Sequence, residues 1–186
     1  MVDAQRSLLG VLFFLIVNKT SAYIKQQAGD KMNRLLKLQG ALLKEIDRYE
    51  KLIPERDQPG DWERVHISSC AKLGYLMAQK RGVDPELAAC ACACHDYGRI
   101  ITGKQADHAE AGYIPIKAFL RETGIFAEEE IDQIALAVKN HSSKSTVGSP
   151  LEEIVKDADV LDFHQYGYVM PRKEQQDRLE RLLKNI

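Results

Sequence analysis

The chain has 186 residues, 45% of them hydrophobic and 28% charged, which is enough for one domain with its own core. A formal net charge of −1 provides no global positive field, which excludes recruitment of nucleic acid or anionic membrane by charge alone. Three of the four cysteines, Cys90, Cys92 and Cys94, fall within one short stretch. That crowding suits a reducing compartment better than a disulfide framework.

In chain order the first element is an apolar run from Leu8 to Val17, LLGVLFFLIV. It is about half of the ~20 residues that a bilayer-spanning helix needs. It has the length of a signal-peptide core, with a weak cleavage site at Thr20-Ser21-Ala22, but Asp3 offsets Arg6 in the flank. A buried or interfacial helix fits better. Residues 1–30 therefore read as a hydrophobic N-terminal appendage and residues 31–186 as the functional domain, with a cytoplasmic location expected. A signal or membrane-tethering segment is the alternative.

The rest reads as helices separated by short polar breaks, an all-α single-domain bundle. Leu35, Leu38, Leu42, Ile46 and Tyr49 make the stripe of an amphipathic helix over 31–53, which PERDQPG ends. A second helix runs from about Asp61 to Lys80, with His66, Cys70, Leu73 and Met77 on one face. Asp84-Pro85 offers a capping residue and a first-turn proline. The helix that follows carries LAACACAC into His95-Asp96, and Gly98 is its expected stop. On a helix, Cys90 and Cys94 share a face that Cys92 does not, so the three read as small residues in a crowded interface.

Beyond the loop ITGKQA, Asp107 and Glu110 have the spacing of a capping box for a helix beginning near His108, and Pro115 is expected to kink or split it. Residues 128–141 form the cleanest helix, with Ile131, Ile134, Ala135 and Val138 in its stripe and His141 continuing it. After HSSKSTVGSP, the Ser149-Pro150-Leu151-Glu152 sequence starts a helix that places Leu151, Val155 and Asp159 in line. The tail from Arg172 is a charged amphipathic helix.

His66, His95, His141 and Asp159 thus lie on inward faces of four different helices, Asp96 adjoins His95, and His108 opens a fifth helix. Any one of them is better explained as a satisfied core histidine or a capped aspartate. Together they carry a different meaning. Several imidazoles and carboxylates buried side by side are costly, and a metal ion removes that penalty because they are its natural ligands. A mixed nitrogen and oxygen set suits Mn, Fe, Co, Ni or Zn better than Mg, which prefers oxygen.

His66, then His95-Asp96, then Asp159 within KDADVLD resembles the H…HD…D pattern of the HD-domain superfamily of metal-dependent phosphohydrolases. The likeness extends over roughly residues 45–170 and includes RVHISSCAKLGYLMA and HDYGR. The resemblance implies an all-α fold and one or two divalent ions. His66, His95, Asp96 and Asp159 would hold the first, and Asp96 with His108 and His141 a second. It implies catalytic roles for Asp96, His108 and His141, with two ions favoured over one.

Arg99 takes the place of a lysine that many relatives carry, and with Lys104 and Lys144 it is a candidate for binding substrate phosphate. Solvated surface charge is the competing explanation for both lysines. Asp157 is a rival to Asp159, or a supporting residue behind it. The absence of a second histidine after His141 and of a GYP sequence separates the chain from cyclic di-GMP phosphodiesterases. Small stand-alone bacterial members acting on nucleotides are a better likeness. The partner implied is a small phosphorylated substrate of the nucleotide class, not a nucleic-acid polymer. No membrane association is expected, and a second copy of the chain could pair through the amphipathic ends. A di-iron oxygenase of the same fold and a metal-stabilised regulatory domain without turnover are the two alternatives.

Overall fold

The computed structural model describes residues 34–184, which form an all-α bundle with no strand among them. The assignment of residues 1–30 as an appendage lies outside this part. No helix of the described residues is long and apolar enough to cross a membrane.

Helix α1 (34–52) buries Leu38, Leu42 and Ile46 completely, as its stripe predicts. Each such side chain contributes about 1.5–3 kcal/mol by leaving water. Helix α2 (Gly60–Arg81) ends where Gly82 adopts a left-handed conformation, φ 69°, and its N–H reaches the Ala78 carbonyl. Its buried face runs through His66, Cys70, Gly74 and Ala78, while Leu73 and Met77 are only half-buried. Helix α3 (Pro85–Cys94) begins as expected, with the Asp84 carboxylate accepting from the N–H groups of Glu86 and Leu87. From Ala88 to Cys94 it is fully buried, packed against α2 and later helices. Only alanine and cysteine occupy that stretch, which lets the neighbours approach closely. A Cβ at Gly74 would overlap Cys92 Sγ. None of the four cysteines is in a disulfide.

Gly98 is not the stop that the sequence suggests. His95 and Asp96 form a tight turn, and helix α4 (Tyr97–Thr102) follows at once. Gly103, φ 70°, ends it. Gly98 serves a crossing instead. A Cβ there would overlap the His108 carbonyl oxygen at the start of α5 (His108–Thr123), and Gly112 meets Gly98 from the other side. The close approach carries Asp96 and His108 towards one another.

Helix α5 starts where predicted, but Asp107 forms no side-chain cap. It is left-handed, φ 53°, a conformation that aspartate tolerates better than most residues. Pro115 neither ends nor splits the helix, which continues to Thr123. Helix α6 (Glu128–Asn140) buries Ile131, Ile134, Ala135 and Val138 and delivers His141 at its C-terminal end. A loop over 141–149 leads to α7 (Pro150–Gln165), whose Ser149 and Glu152 make the expected reciprocal cap. Helix α8 (Lys173–Leu183) packs on α7, and its one fully covered side chain is Arg178, with Leu179 and Leu182 half-buried.

Candidate metal centre

The bundle brings His66 of α2, His95 and Asp96 of the α3–α4 turn, His108 of α5, His141 after α6 and Asp159 of α7 to one place. His66, His95, Asp96, His108 and His141 are buried, while the Asp159 side chain is 19% exposed. All six were singled out in the sequence.

Each imidazole is oriented by its Nδ1. His95 donates to the Cys92 carbonyl (2.7 Å), His108 to the Gln105 carbonyl (2.6 Å) and His141 to the Val138 carbonyl (2.7 Å). A carbonyl only accepts, so Nδ1 carries the hydrogen and, in the neutral ring, Nε2 presents a lone pair. His66 does the same through the Asp162 carboxylate at 2.6 Å. Trp62 stacks on the His66 ring, with centroids 4.9 Å apart.

The Nε2 atoms then converge in two sets. Those of His66 and His95 are 3.1 Å apart. Asp96 Oδ2 stands 3.3 and 3.1 Å from them, and Asp159 Oδ1 3.4 and 3.6 Å. The Nε2 atoms of His108 and His141 are 2.9 Å apart, with Asp96 Oδ1 at 3.0 and 3.4 Å. Asp96 thus turns one oxygen to each set.

These separations match a donor shell. Ligands about 2.1 Å from an ion stand about 3.0–3.4 Å apart in octahedral or tetrahedral geometry. Lone pairs facing one another at such distances repel unless a cation lies among them. Asp96 Oδ2 makes the same demand. It is buried and within ion-pair distance of Arg99, His66 and His95, yet no hydrogen-bond donor is aligned on it. The residues fit a divalent ion in each set.

The electrostatics also call for positive charge. Burial opposes a proton on His95, but Asp96 and Asp159 outweigh it and raise its pKa to about 9. Burial opposes a charge on His66 too, and the carboxylates of Asp159, Asp162 and Asp96 beside it overcome that. For His141 burial prevails, and its pKa falls to about 4. Asp96 and Asp159 are held well below the carboxylate range against the effect of burial, Asp96 chiefly by Arg99 and Asp159 chiefly by Lys144. The Cys70 thiol lies 3.6 Å from His66 Nδ1, and burial pushes its pKa to about 12, so it remains a neutral neighbour.

The three basic residues expected at the substrate are placed differently. Arg99 borders the cavity, but its guanidinium is engaged by both Glu63 oxygens (2.8 and 3.0 Å), by Gln105 (2.9 Å) and by Asp96. Lys104 is an exposed side chain beside Asp57 and is not part of the cavity wall. Lys144 is buried with its ammonium on Asp159 Oδ2, and it does not line the cavity either. Asp157 points away from the centre, to Arg178 (2.6 Å) and Arg81 (2.7 Å). The supporting role considered for it belongs to Asp162, whose position one helical turn beyond Asp159 was the available signal. Glu63, Trp62 and Ser142 were also missed.

The centre forms the floor of a cavity of about 710 Å³, whose wall includes Ser142, Phe163, Arg172 and Gln175. Ser142 Oγ is 3.4 Å from the Nε2 atoms of both His108 and His141.

The HD domain family model matches residues 65–164, more than half of the chain. The chain belongs to the HD domain family, whose members are metal-dependent hydrolases that hold divalent ions. One solved structure similar to it is a predicted HD superfamily hydrolase from an uncultured Thermotogales bacterium. It is 24% identical, with a TM-score of 0.46 over 64% of this chain and 75% of that one. No curated protein matches.

Proposed function

We propose that the protein hydrolyses a phosphate ester or anhydride of a small, nucleotide-class molecule. The observation that carries this reading is the sharing of Asp96 between two donor sets at the floor of an open cavity. When bound, divalent ions supply Lewis acidity toward phosphoryl oxygens and lower the pKa of a coordinated water. His66, His95, Asp96 and Asp159 would hold one ion, and Asp96, His108 and His141 the other. Manganese, iron, cobalt, nickel and zinc suit this set better than magnesium.

The charges on the cavity wall support a reading in which a phosphate substrate binds through those ions. Asp96, Asp107, Glu110 and Asp159 line it against Arg99, Lys139 and Arg172. With the histidines neutral, as metal ligation requires, these side chains carry one more negative than positive charge, and one divalent ion reverses the sign. Ser142 can donate its hydroxyl to a phosphoryl oxygen beside His108 and His141. Arg99 steadies Asp96, and Lys144 acts on Asp159, so neither is assigned to substrate.

A panel of nucleotides and simple phosphate esters, assayed with Mn, Co, Ni, Fe, Zn and Mg beside metal analysis of the purified protein, tests the reading. Release of phosphate with a transition metal is expected. Oxygen consumption with iron and no phosphate release from any substrate would replace it with the oxygenase chemistry.

A further inference from the structure

The loop over 141–149 is tied down by cations at alternate carbonyls. Arg172 Nη1 donates to the Ser142 carbonyl (3.1 Å), and Lys156 Nζ donates to the Thr146 carbonyl (2.7 Å). Between them, Arg178 Nε and Nη2 both donate to the Lys144 carbonyl, at 3.2 and 2.8 Å. Arg178 is 4% exposed, and its Nη1 holds Glu153 at 2.9 Å and Asp157 at 2.6 Å on α7. A planar guanidinium can fork around one carbonyl and still reach two carboxylates, whereas an ammonium cannot keep that geometry. Arg172 and Arg178 both lie beyond the residues 65–164 that define the family match.

What the tie positions is the other end of Lys144. With its carbonyl fixed by Arg178, the Lys144 side chain turns inward and its ammonium sits on Asp159 Oδ2. Asp159 Oδ1 is the oxygen that faces the Nε2 atoms of His66 and His95. A carboxylate with both oxygens free can swing or chelate through both. One with Oδ2 held by an ammonium presents a single oxygen in a fixed direction.

We propose that Arg178 is a positioning residue of the metal centre. By holding the Lys144 carbonyl, it keeps the Lys144 ammonium on Asp159 Oδ2 and leaves Oδ1 as the one oxygen offered to the His66–His95 set. Helix α8, although outside the family match, is then a working part of the site. The inference rests on the metal-centre reading above.

Cobalt(II) titration of the full-length, metal-free protein, followed by its visible absorption, tests the proposal alongside the melting temperature. Arg178→Lys keeps a cation beside Glu153 and Asp157 but loses the fork. It is expected to fold and to bind the first cobalt ion about tenfold more weakly, the usual scale for residues that orient ligands. Lys144→Met breaks the same link at its near end, leaves Glu153 and Asp157 paired, and is expected to weaken binding at least as much. The double variant should be no weaker than Lys144→Met alone, since both changes break one link.

A lowered melting temperature with an unchanged cobalt isotherm in Arg178→Lys would overturn the proposal, as would losses that simply add. If Arg178→Lys fails to fold, Lys144→Met decides alone, and wild-type affinity in it overturns the proposal. No cobalt uptake by the wild-type protein sinks the metal-centre reading and this inference with it. Normal uptake that Arg178→Lys leaves unchanged sinks only the role of Arg178.

Discussion

The two halves of the centre are built differently. The His66–His95 half has four protein donors, and two of them are braced by other side chains: His66 by Asp162 and Asp159 by Lys144. The His108–His141 half has three donors, and both imidazoles are braced by backbone carbonyls of their own segments, Gln105 and Val138. The cavity opens beside it, with Ser142 within reach of both rings. A set completed by protein suits an ion that stays, and a set short of protein donors leaves coordination positions for water and substrate. On the proposed two-ion reading, the first half would retain its ion and the second would exchange it.

The largest effect should come from the residue that both halves share. Asp96→Ala removes one donor from each, so neither ion is retained and turnover falls on the order of 10³-fold or more, above the cost of losing one donor from a preorganised site. Metal analysis and turnover of the folded variant check this. Retention of a full complement of metal would dissolve the idea of a shared ligand.

Next come two changes that should separate the halves. His141→Ala should keep the first ion and lose the second, whereas Asp159→Ala should lose the tightly held ion. Each should lower turnover by about 10²-fold or more. Metal stoichiometry after dialysis distinguishes them. If both variants lose the same ion, the centre has one site and the comparison fails.

These halves were unequally legible in the sequence. Helical periodicity was enough to place His66, His95, His141 and Asp159 on inward faces, because a ligand faces the core for the same reason that a leucine does, while Asp96 was found beside His95 and His108 at the start of a helix. Their supports were not legible. Asp157 and Asp162 both lie in KDADVLD, and only the rotation of α7 against α2 and α8 decides which carboxylate meets His66 and which meets the arginines. Lys104 and Lys144 likewise both stand in polar loops. One is exposed beside Asp57 and the other buried on Asp159, a difference made by packing. Gly98 read as a helix stop because local chemistry cannot show that a second helix crosses there.

The role of Asp162 gives a smaller and more selective prediction. Asp162→Asn keeps the shape but weakens the hold on the His66 Nδ1 hydrogen. First-ion affinity should fall about 10–100-fold, while the second half keeps its own backbone-held imidazoles. Equal losses for the two ions in a competition titration would mean that Asp162 stabilises the bundle as a whole.

The mildest handle is pH. The Nε2 atoms of His66 and His95 are 3.1 Å apart, so in the metal-free protein the pair carries one proton rather than two. Burial opposes that proton and the aspartates around it prevail, placing the His95 pKa at about 9, above the ordinary 6.5. A raised pKa stabilises the metal-free fold fully below the ordinary value, and that stabilisation is lost as pH rises through about 9. The melting temperature of the metal-free protein should therefore decline across this window. A divalent ion needs the same nitrogen bare, so its apparent affinity for the first half should move the other way, rising about tenfold or less from pH 7 to 8. His141, with its pKa lowered to about 4 by burial, is already neutral there and adds no such slope to the second half. Metal titrations at pH 6.5, 7.5 and 8.5, with calorimetric melting of the metal-free protein, read both trends. A first-ion affinity that is flat across the series would show that no proton is displaced from the His66–His95 pair, and the electrostatic difference between the halves would disappear.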